Sequence, residues 1–205
     1  ARVALFAVSA LALAAVTAYG TGRPQATVIE SPEQRNRDIM LCLDVSGSMA
    51  RADAAITKTF RQLVTGFEGE RIGLVIFDGT AVSVFPLTDD YQFTLEQLAQ
   101  AQAVFEGDAN PMTFYEGVNN SVGTSLIGDG LASCVQSFDQ LDANRARSII
   151  LATDNQVVGK PLFSLREAGE YAKAKSVRVY AVNPADTGAD QESAELRRVV
   201  EGTAG

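Results

Sequence analysis

Three short, unbroken apolar runs limit what this chain can fold into more than any other feature: Asp38–Leu43 (DIMLCL), Arg71–Phe77 (RIGLVIF) and Ser148–Thr153 (SIILAT). Each is too short for a core helix and lacks the in-out alternation of a strand with one wet face. They read as strands buried on both sides. Val177–Val182 (VRVYAV) adds another strand, and Asp78-Gly79 supplies a two-residue hairpin into a further one, Ala81–Phe85. Between the strands lie helical segments. Ala55, Ile56, Phe60, Leu63, Val64 and Phe67 fall at helical spacing within 52–67, and further helices are expected near 91–104, 126–140, 164–175 and 190–201. Strands alternating with helices of this length predict an α/β, doubly wound and mostly parallel sheet, with one antiparallel edge strand and helices on both faces. In such sheets ligands bind beyond the carboxyl ends of the strands, where the strand order reverses.

Composition removes several kinds of chemistry. The 205 residues include no histidine, which excludes Ser-His-Asp and Cys-His nucleophiles, His-ligated zinc and imidazole acid–base catalysis. Lys+Arg 17 against Asp+Glu 25 leaves a net charge of −8, and no long basic run is present, so nucleic acid is not an expected partner. No Gly-x-x-x-x-Gly-Lys-Ser/Thr loop offers a phosphate cradle. The two cysteines, Cys42 in a buried strand and Cys134 on a helix, are too few for a disulfide scaffold or a four-thiolate zinc site and read as inert core thiols. Any metal would have to be held by oxygen.

The first residues have a different character. Val3–Tyr19 carries no charge and is flanked by Arg2 and Arg23, near the lower length limit for a membrane-spanning helix. The expectation is an N-terminal hydrophobic membrane helix over 1–20. A secretory signal cleaved after Val16-Thr17-Ala18 is the alternative, and arginines on both sides leave the orientation open. Residues 21–37, rich in Gly, Pro and polar groups, read as a linker or stem, and 38–205 as the folded domain. That arrangement puts the domain at the cell membrane, with an extracytoplasmic location as one outcome.

The chemistry gathers at the expected strand exits. The first buried strand runs out into Asp44-Val45-Ser46-Gly47-Ser48-Met49, with a carboxylate and two hydroxyls at alternate positions. The strand at 148–153 ends in Thr153-Asp154-Asn155. Between them, Gly123-Thr124-Ser125 leads into Gly128-Asp129-Gly130-Leu131, which places hydroxyls ahead of a helix. Three loops offering only hard oxygens favour Mg²⁺ or a similar cation such as Mn²⁺ or Ca²⁺. Asp129 reads as a first-turn residue that suits the helix dipole, Asp78 as a turn residue, and the mixed charges of Arg166–Lys175 as a solvated helix face.

These three motifs, in this order and at this spacing, resemble the von Willebrand factor type A (VWA) domain and its metal-ion-dependent adhesion site over roughly residues 38–205. The resemblance implies a Rossmann-like VWA fold. It implies that the Ser46 and Ser48 hydroxyls bind the cation directly, that Asp44 and Asp154 act mainly through bound waters, and that Ser125, with Thr124 as the alternative, supplies the third-loop hydroxyl. Asn155 stands where the family often has Gly. The implied function is protein binding, with a partner's Asp or Glu completing the metal's coordination. The hydrophobic segment, Arg23-Pro24-Gln25, Arg37-Asp38-Ile39 and Pro86-Leu87-Thr88-Asp89-Asp90-Tyr91 further resemble bacterial membrane-anchored VWA proteins of the aerotolerance (Bat) type. That group implies a MoxR-type AAA+ ATPase system or other VWA proteins as partners, and a C-terminal continuation into a last strand and helix. The expected chain is therefore a binding module, not an enzyme. Two other readings are a haloacid-dehalogenase-like phosphatase using Asp44, in which Ser46 stands where a second acid is needed, and a structural ectodomain with a vestigial site.

Overall fold

A computed structural model describes residues 37–118, 124–184 and 191–205. The expected membrane helix, nearly all of the stem and Gly123 lie outside the described residues. Among the described residues, no helix is long and apolar enough to cross a membrane.

The strands are β1 (Arg37–Asp44), β2 (Arg71–Phe77), β3 (Ala81–Thr88), β4 (Ala146–Ala152) and β5 (Val177–Val182). They form one sheet in the order β3-β2-β1-β4-β5. β1 pairs in parallel with β2 and β4, β4 pairs in parallel with β5, and β3 alone is antiparallel, against β2. The doubly wound expectation holds. From β1 the chain first builds outward through β2 and β3, then returns to the other side of β1 for β4 and β5, so the order reverses between β1 and β4. The third strand runs past its expected end at Phe85 to Thr88. Pro86 is accommodated because β3 is an edge strand whose register against β2 shifts there, between the Leu74–Phe85 and Ile72–Thr88 pairs.

Six helices are described: α1 (Asp53–Val64), α2 (Tyr91–Glu106), α3 (Pro111–Phe114), α4 (Ile127–Gln136), α5 (Leu165–Ala174) and α6 (Gln191–Gly202). The short α3 is not foreseen in the sequence. It starts at Pro111, with the Asn110 side chain accepting a hydrogen bond from the Met112 N–H. Side-chain alternation along the buried strands divides the core in two. Ile39, Leu41 and Leu43 face α1 and α2, packing with Ile56, Phe60 and Leu98. Met40 and Cys42 face the other way, toward Leu131, Val135, Ala168 and Val199 of α4, α5 and α6.

That second face corrects the reading of the cysteines. Cys42 and Cys134 form a disulfide bond, with Cα atoms 6.2 Å apart across 92 residues of sequence. Cys42 stands on the α4 side of β1, and Cys134 lies on the buried stripe of α4 with Leu131 and Val135. Packing that stripe against that face brings the two sulfurs into bonding range. The bond ties the strand that ends in Asp44 to the helix that follows Ser125.

Close approach explains the two glycines of Gly128-Asp129-Gly130. A side chain on Gly130 would sit inside the Phe77 ring, and one on Gly128 would meet the Phe163 carbonyl. Between them, Asp129 accepts hydrogen bonds from the backbone N–H groups of Leu162 (3.0 Å) and Phe163 (2.7 Å). Its carboxylate joins the start of α4 to the segment before α5.

At the amino end of the sheet, fully buried Asp38 takes two bonds from Arg71 (2.9 and 2.7 Å) and one from Arg145 (2.6 Å). Burial alone would raise its pKa, but the two guanidiniums outweigh that and hold the carboxyl below the usual range. The charged network thus occupies the end of the sheet opposite the loops with the expected chemistry.

Two outcomes follow for stability. Replacing both cysteines with serine, or reducing the native protein, is expected to cost about 2–4 kcal/mol, read as a lower urea midpoint. Gly130→Ala is expected to cost about 1–3 kcal/mol by overpacking against Phe77, whereas Gly47→Ala, with open space at its Cβ, should leave the midpoint nearly unchanged.

Candidate metal centre

β1 delivers Asp44 to the carboxyl edge of the sheet, at the point where the strand order reverses. Register fixes its neighbours. Asp44 pairs with Phe77 of β2, and Leu43 pairs with Ala152 of β4, so Asp44 and Thr153 emerge side by side. The side chain of Asp44 is fully buried. Its Oδ1 accepts the Ser46 N–H at 3.0 Å, which curls the loop back toward the strand end. Its Oδ2 accepts the Thr153 hydroxyl at 2.7 Å and the Ser125 hydroxyl at 3.4 Å. One carboxylate therefore bonds groups from all three motif-bearing segments. Ser46 is 3 % exposed and Ser48 is open to solvent, and their hydroxyl oxygens lie 3.2 Å apart.

Ser125 and Thr124 part company here. The Ser125 backbone bridges to Val158 in both directions, at 2.8 and 3.1 Å, which turns its hydroxyl toward Asp44. The Thr124 hydroxyl donates instead to Asp78 Oδ1 at 3.2 Å. Asp78 does more than make a turn. It is buried, and its carbonyl accepts the Leu126 N–H at 3.0 Å, so it holds the hydroxyl loop against the end of β2.

Asp154 is buried, and its Oδ1 accepts the Gln156 N–H at 3.0 Å. Its charge reaches Asp44 and is among the causes that raise the Asp44 pKa. Asn155 follows with φ +58°, in the left-handed region that Gly and Asn tolerate best. The departure from the family's Gly therefore leaves the backbone path of this loop available. The Asn155 N–H donates to Thr153 Oγ1 at 3.0 Å, so Thr153 both receives from the loop and donates to Asp44. In the sequence Thr153 is simply the last residue before Asp154, and this role is not evident there.

Asp53 was missed altogether. It opens α1 and belongs to that helix's buried stripe with Ile56, Thr57, Phe60 and Val64. The available signal was an acid in register with an apolar helix face.

The electrostatics are those of crowded acids. Burial raises the Asp44 pKa, Asp154 adds to the rise, and the Thr153 and Ser46 hydrogen bonds oppose it. Burial is also the main cause that pushes Asp53 up to about 8, followed by the charges of Asp44 and Asp154. Among the described residues, the hydrogen-bond donors to Asp44 and Asp154 are hydroxyls and backbone N–H groups, with no Lys or Arg. Nor do any three Asp, Glu, Cys or His side chains there converge as a metal-binding group. The cluster offers hydroxyl and carboxylate oxygens, the donor chemistry suited to a small hard dication.

The fold agrees with the comparisons. The sequence profile of the von Willebrand factor type A domain matches residues 39–156. The chain belongs to that family. Among solved structures, an aerotolerance-related membrane protein from Bacteroides fragilis aligns with a TM-score of 0.61 at 19% identity, covering 82% of this chain and 89% of its own. BatB from Bacteroides thetaiotaomicron aligns at 0.58 and 19% identity, covering 82% and 87%. Proximal thread matrix protein 1 from the mussel byssus, in a structure with a zinc-occupied MIDAS motif, aligns at 0.55 and 20% identity, covering 71% of this chain and 37% of its own. No curated protein matches the chain. At these identities the likeness concerns the fold, and the VWA fold expected from the motifs is the one found. VWA domains are typically interaction modules without catalytic activity.

The raised acids predict a pH dependence. Protonated Asp53 favours the folded state; that contribution is complete below the usual 3.8 and is lost as pH rises through about 8. Asp38, whose pKa is lowered, acts in a separate window, and its contribution fades only as pH falls below about 4. In chelator, the melting temperature is expected to fall steadily between pH 5 and pH 9, as followed by scanning calorimetry. A flat profile across that range would contradict the buried-acid reading.

Proposed function

We propose that this VWA domain is a divalent-cation-dependent protein-binding module. In this reading Ser46, Ser48 and Ser125 would offer hydroxyls to Mg²⁺, Mn²⁺ or a similar ion, and Asp44 and Asp154 would add their carboxylates through water. The bound ion supplies an electrophilic position for a carboxylate from outside. The protein's own part is orientation. Asp44 receives bonds from Ser46 N–H, Ser125 and Thr153, and so sets the spacing of the three loops before any partner arrives.

One observation carries the reading: oxygen groups from three separate chain segments meet on the buried Asp44, beside the charge of Asp154, and among the described residues no cationic side chain bonds either acid. Neutral hydroxyls leave most of a dication's charge uncompensated, so an Asp or Glu from a partner protein would bind it strongly and directionally. The phosphatase alternative fares worse. Both Asp44 oxygens are engaged and the side chain is fully buried, which is a poor situation for a nucleophile, and Ser46 is no general acid at neutral pH.

Attachment to the cell membrane through residues 1–20, with the domain over 38–205 facing an extracytoplasmic space, belongs to the same proposal. The Cys42–Cys134 disulfide supports it, because such bonds persist in oxidising compartments. The fold likeness to an aerotolerance-related membrane protein and to BatB supports a Bat-type role, with other VWA proteins or a MoxR-type AAA+ ATPase system as candidate partners.

The test is capture of partners from native membranes by wild type and by Ser46→Ala, each with Mg²⁺ and with excess chelator. Wild type should retain a protein with Mg²⁺ and release it on chelation. Ser46→Ala should fold normally by circular dichroism and capture nothing above the chelated background. Capture that survives both the substitution and the chelator would exclude a metal-bridged contact.

A further inference from the structure

Asp53 is 1 % exposed, and among the described residues its Oδ1 has no hydrogen-bond partner. One turn further along α1, Thr57 is equally buried and its hydroxyl is likewise without a partner. A buried carboxyl is normally retained only where something compensates its lost hydration. Among the described residues, no such compensation comes from the groups that act on Asp53. Asp44 at the end of β1 and Asp154 after β4 both act on it as like charges. The Tyr115 phenol, just after α3 and packed with the Phe105 and Phe114 rings, feels the Asp53 charge in turn and is pushed up to about 12, chiefly by its own burial. The first turn of α1, where Asp53 lies, favours the ionised form through its N-terminal dipole.

We propose that Asp53 is a third acidic group of the cation site, directed at the bound ion through a water molecule, with Thr57 beside it on the same stripe of α1. The inference rests on the metal-dependent reading above and adds a residue outside the three loop motifs. A dication near Asp44 and Asp154 supplies the positive charge that Asp53 lacks among its protein neighbours. Its charge would offset the like charges of Asp44 and Asp154 on Asp53 at a distance, through water, since no three acids converge directly among the described residues. The raised Asp53 pKa, caused by burial and by those two acids, agrees with a group that is a liability without the ion. An acid buried merely for structure would carry its hydrogen bonds within the protein, as Asp38 does with Arg71 and Arg145.

The two roles differ in the sign of one measurement. In the full-length chain, Asp53→Asn keeps the side-chain shape and removes the charge. Thermal unfolding in chelator at pH 8.5 should show it more stable than wild type, because an uncompensated acid has gone. Titration with Mn²⁺ alone, with the free ion followed by electron paramagnetic resonance, should show binding weakened by about 10–100-fold, the usual effect of losing a group that orients a metal's shell. Asp53→Ser repeats both measurements should the amide fail to fold. Mn²⁺ affinity within twofold of wild type, or a lower melting temperature in chelator, would overturn the role of Asp53 while leaving the loop site standing. Failure of wild type itself to bind Mn²⁺ would overturn both.

Discussion

The architecture of this edge depends on a carboxylate held out of water at the end of the central strand. Asp44 is flanked by β2 and β4, so it cannot turn to solvent, and its oxygens are satisfied by one backbone N–H and two hydroxyls. Each donor comes from a different loop. Hydrogen bonds to an ionised acceptor are stronger and more directional than neutral ones, so one side chain sets the mutual positions of three segments that are far apart in sequence. The same arrangement leaves the carboxylate short of positive charge, and that makes the edge a candidate for a dication.

The rest of the domain keeps that edge rigid. The disulfide ties β1 to α4, the helix that Ser125 precedes. Gly130 allows α4 to lie against Phe77 at the end of β2, while Asp78, the next residue, holds Thr124 and Leu126. Asp129 secures the approach to α5. Contacts that read separately as a turn, a cap and two glycines therefore act on one short stretch, the loop that presents Ser125. On the opposite edge, Asp38 with its two arginines forms a compensated ion cluster. The two ends of β1 thus carry buried acids in contrasting states, one neutralised by guanidinium groups and the other bonded by hydroxyls and a backbone N–H, with no cation beside it among the described residues.

Much of this was legible in the residues. The apolar runs identified the strands because a strand covered on both faces must be apolar throughout, and their boundaries hold to within a few residues. The three loop motifs were legible because their polar groups follow directly on those runs. The motif spacing already pointed to Ser125 and kept Thr124 as the alternative, since both are hydroxyls ahead of the same helix. The difference comes from the Ser125–Val158 bridge, which turns one hydroxyl inward and leaves the other for Asp78. Asp53 escaped notice because helical spacing was read for apolar residues, and an acid in the same register was passed over.

By itself, then, the sequence determined the class of fold, the strands that end in chemistry and the oxygen character of any metal site, because these follow from local patterning and from the absence of histidine. Tertiary structure decided the Cys42–Cys134 bond, the turn that sets the Ser125 hydroxyl beside Asp44 and the Thr124 hydroxyl beside Asp78, and the burial of Asp53 within reach of the Asp44 and Asp154 charges. Each of these depends on which face of the sheet a distant helix or loop covers, and that is settled only when the whole core packs.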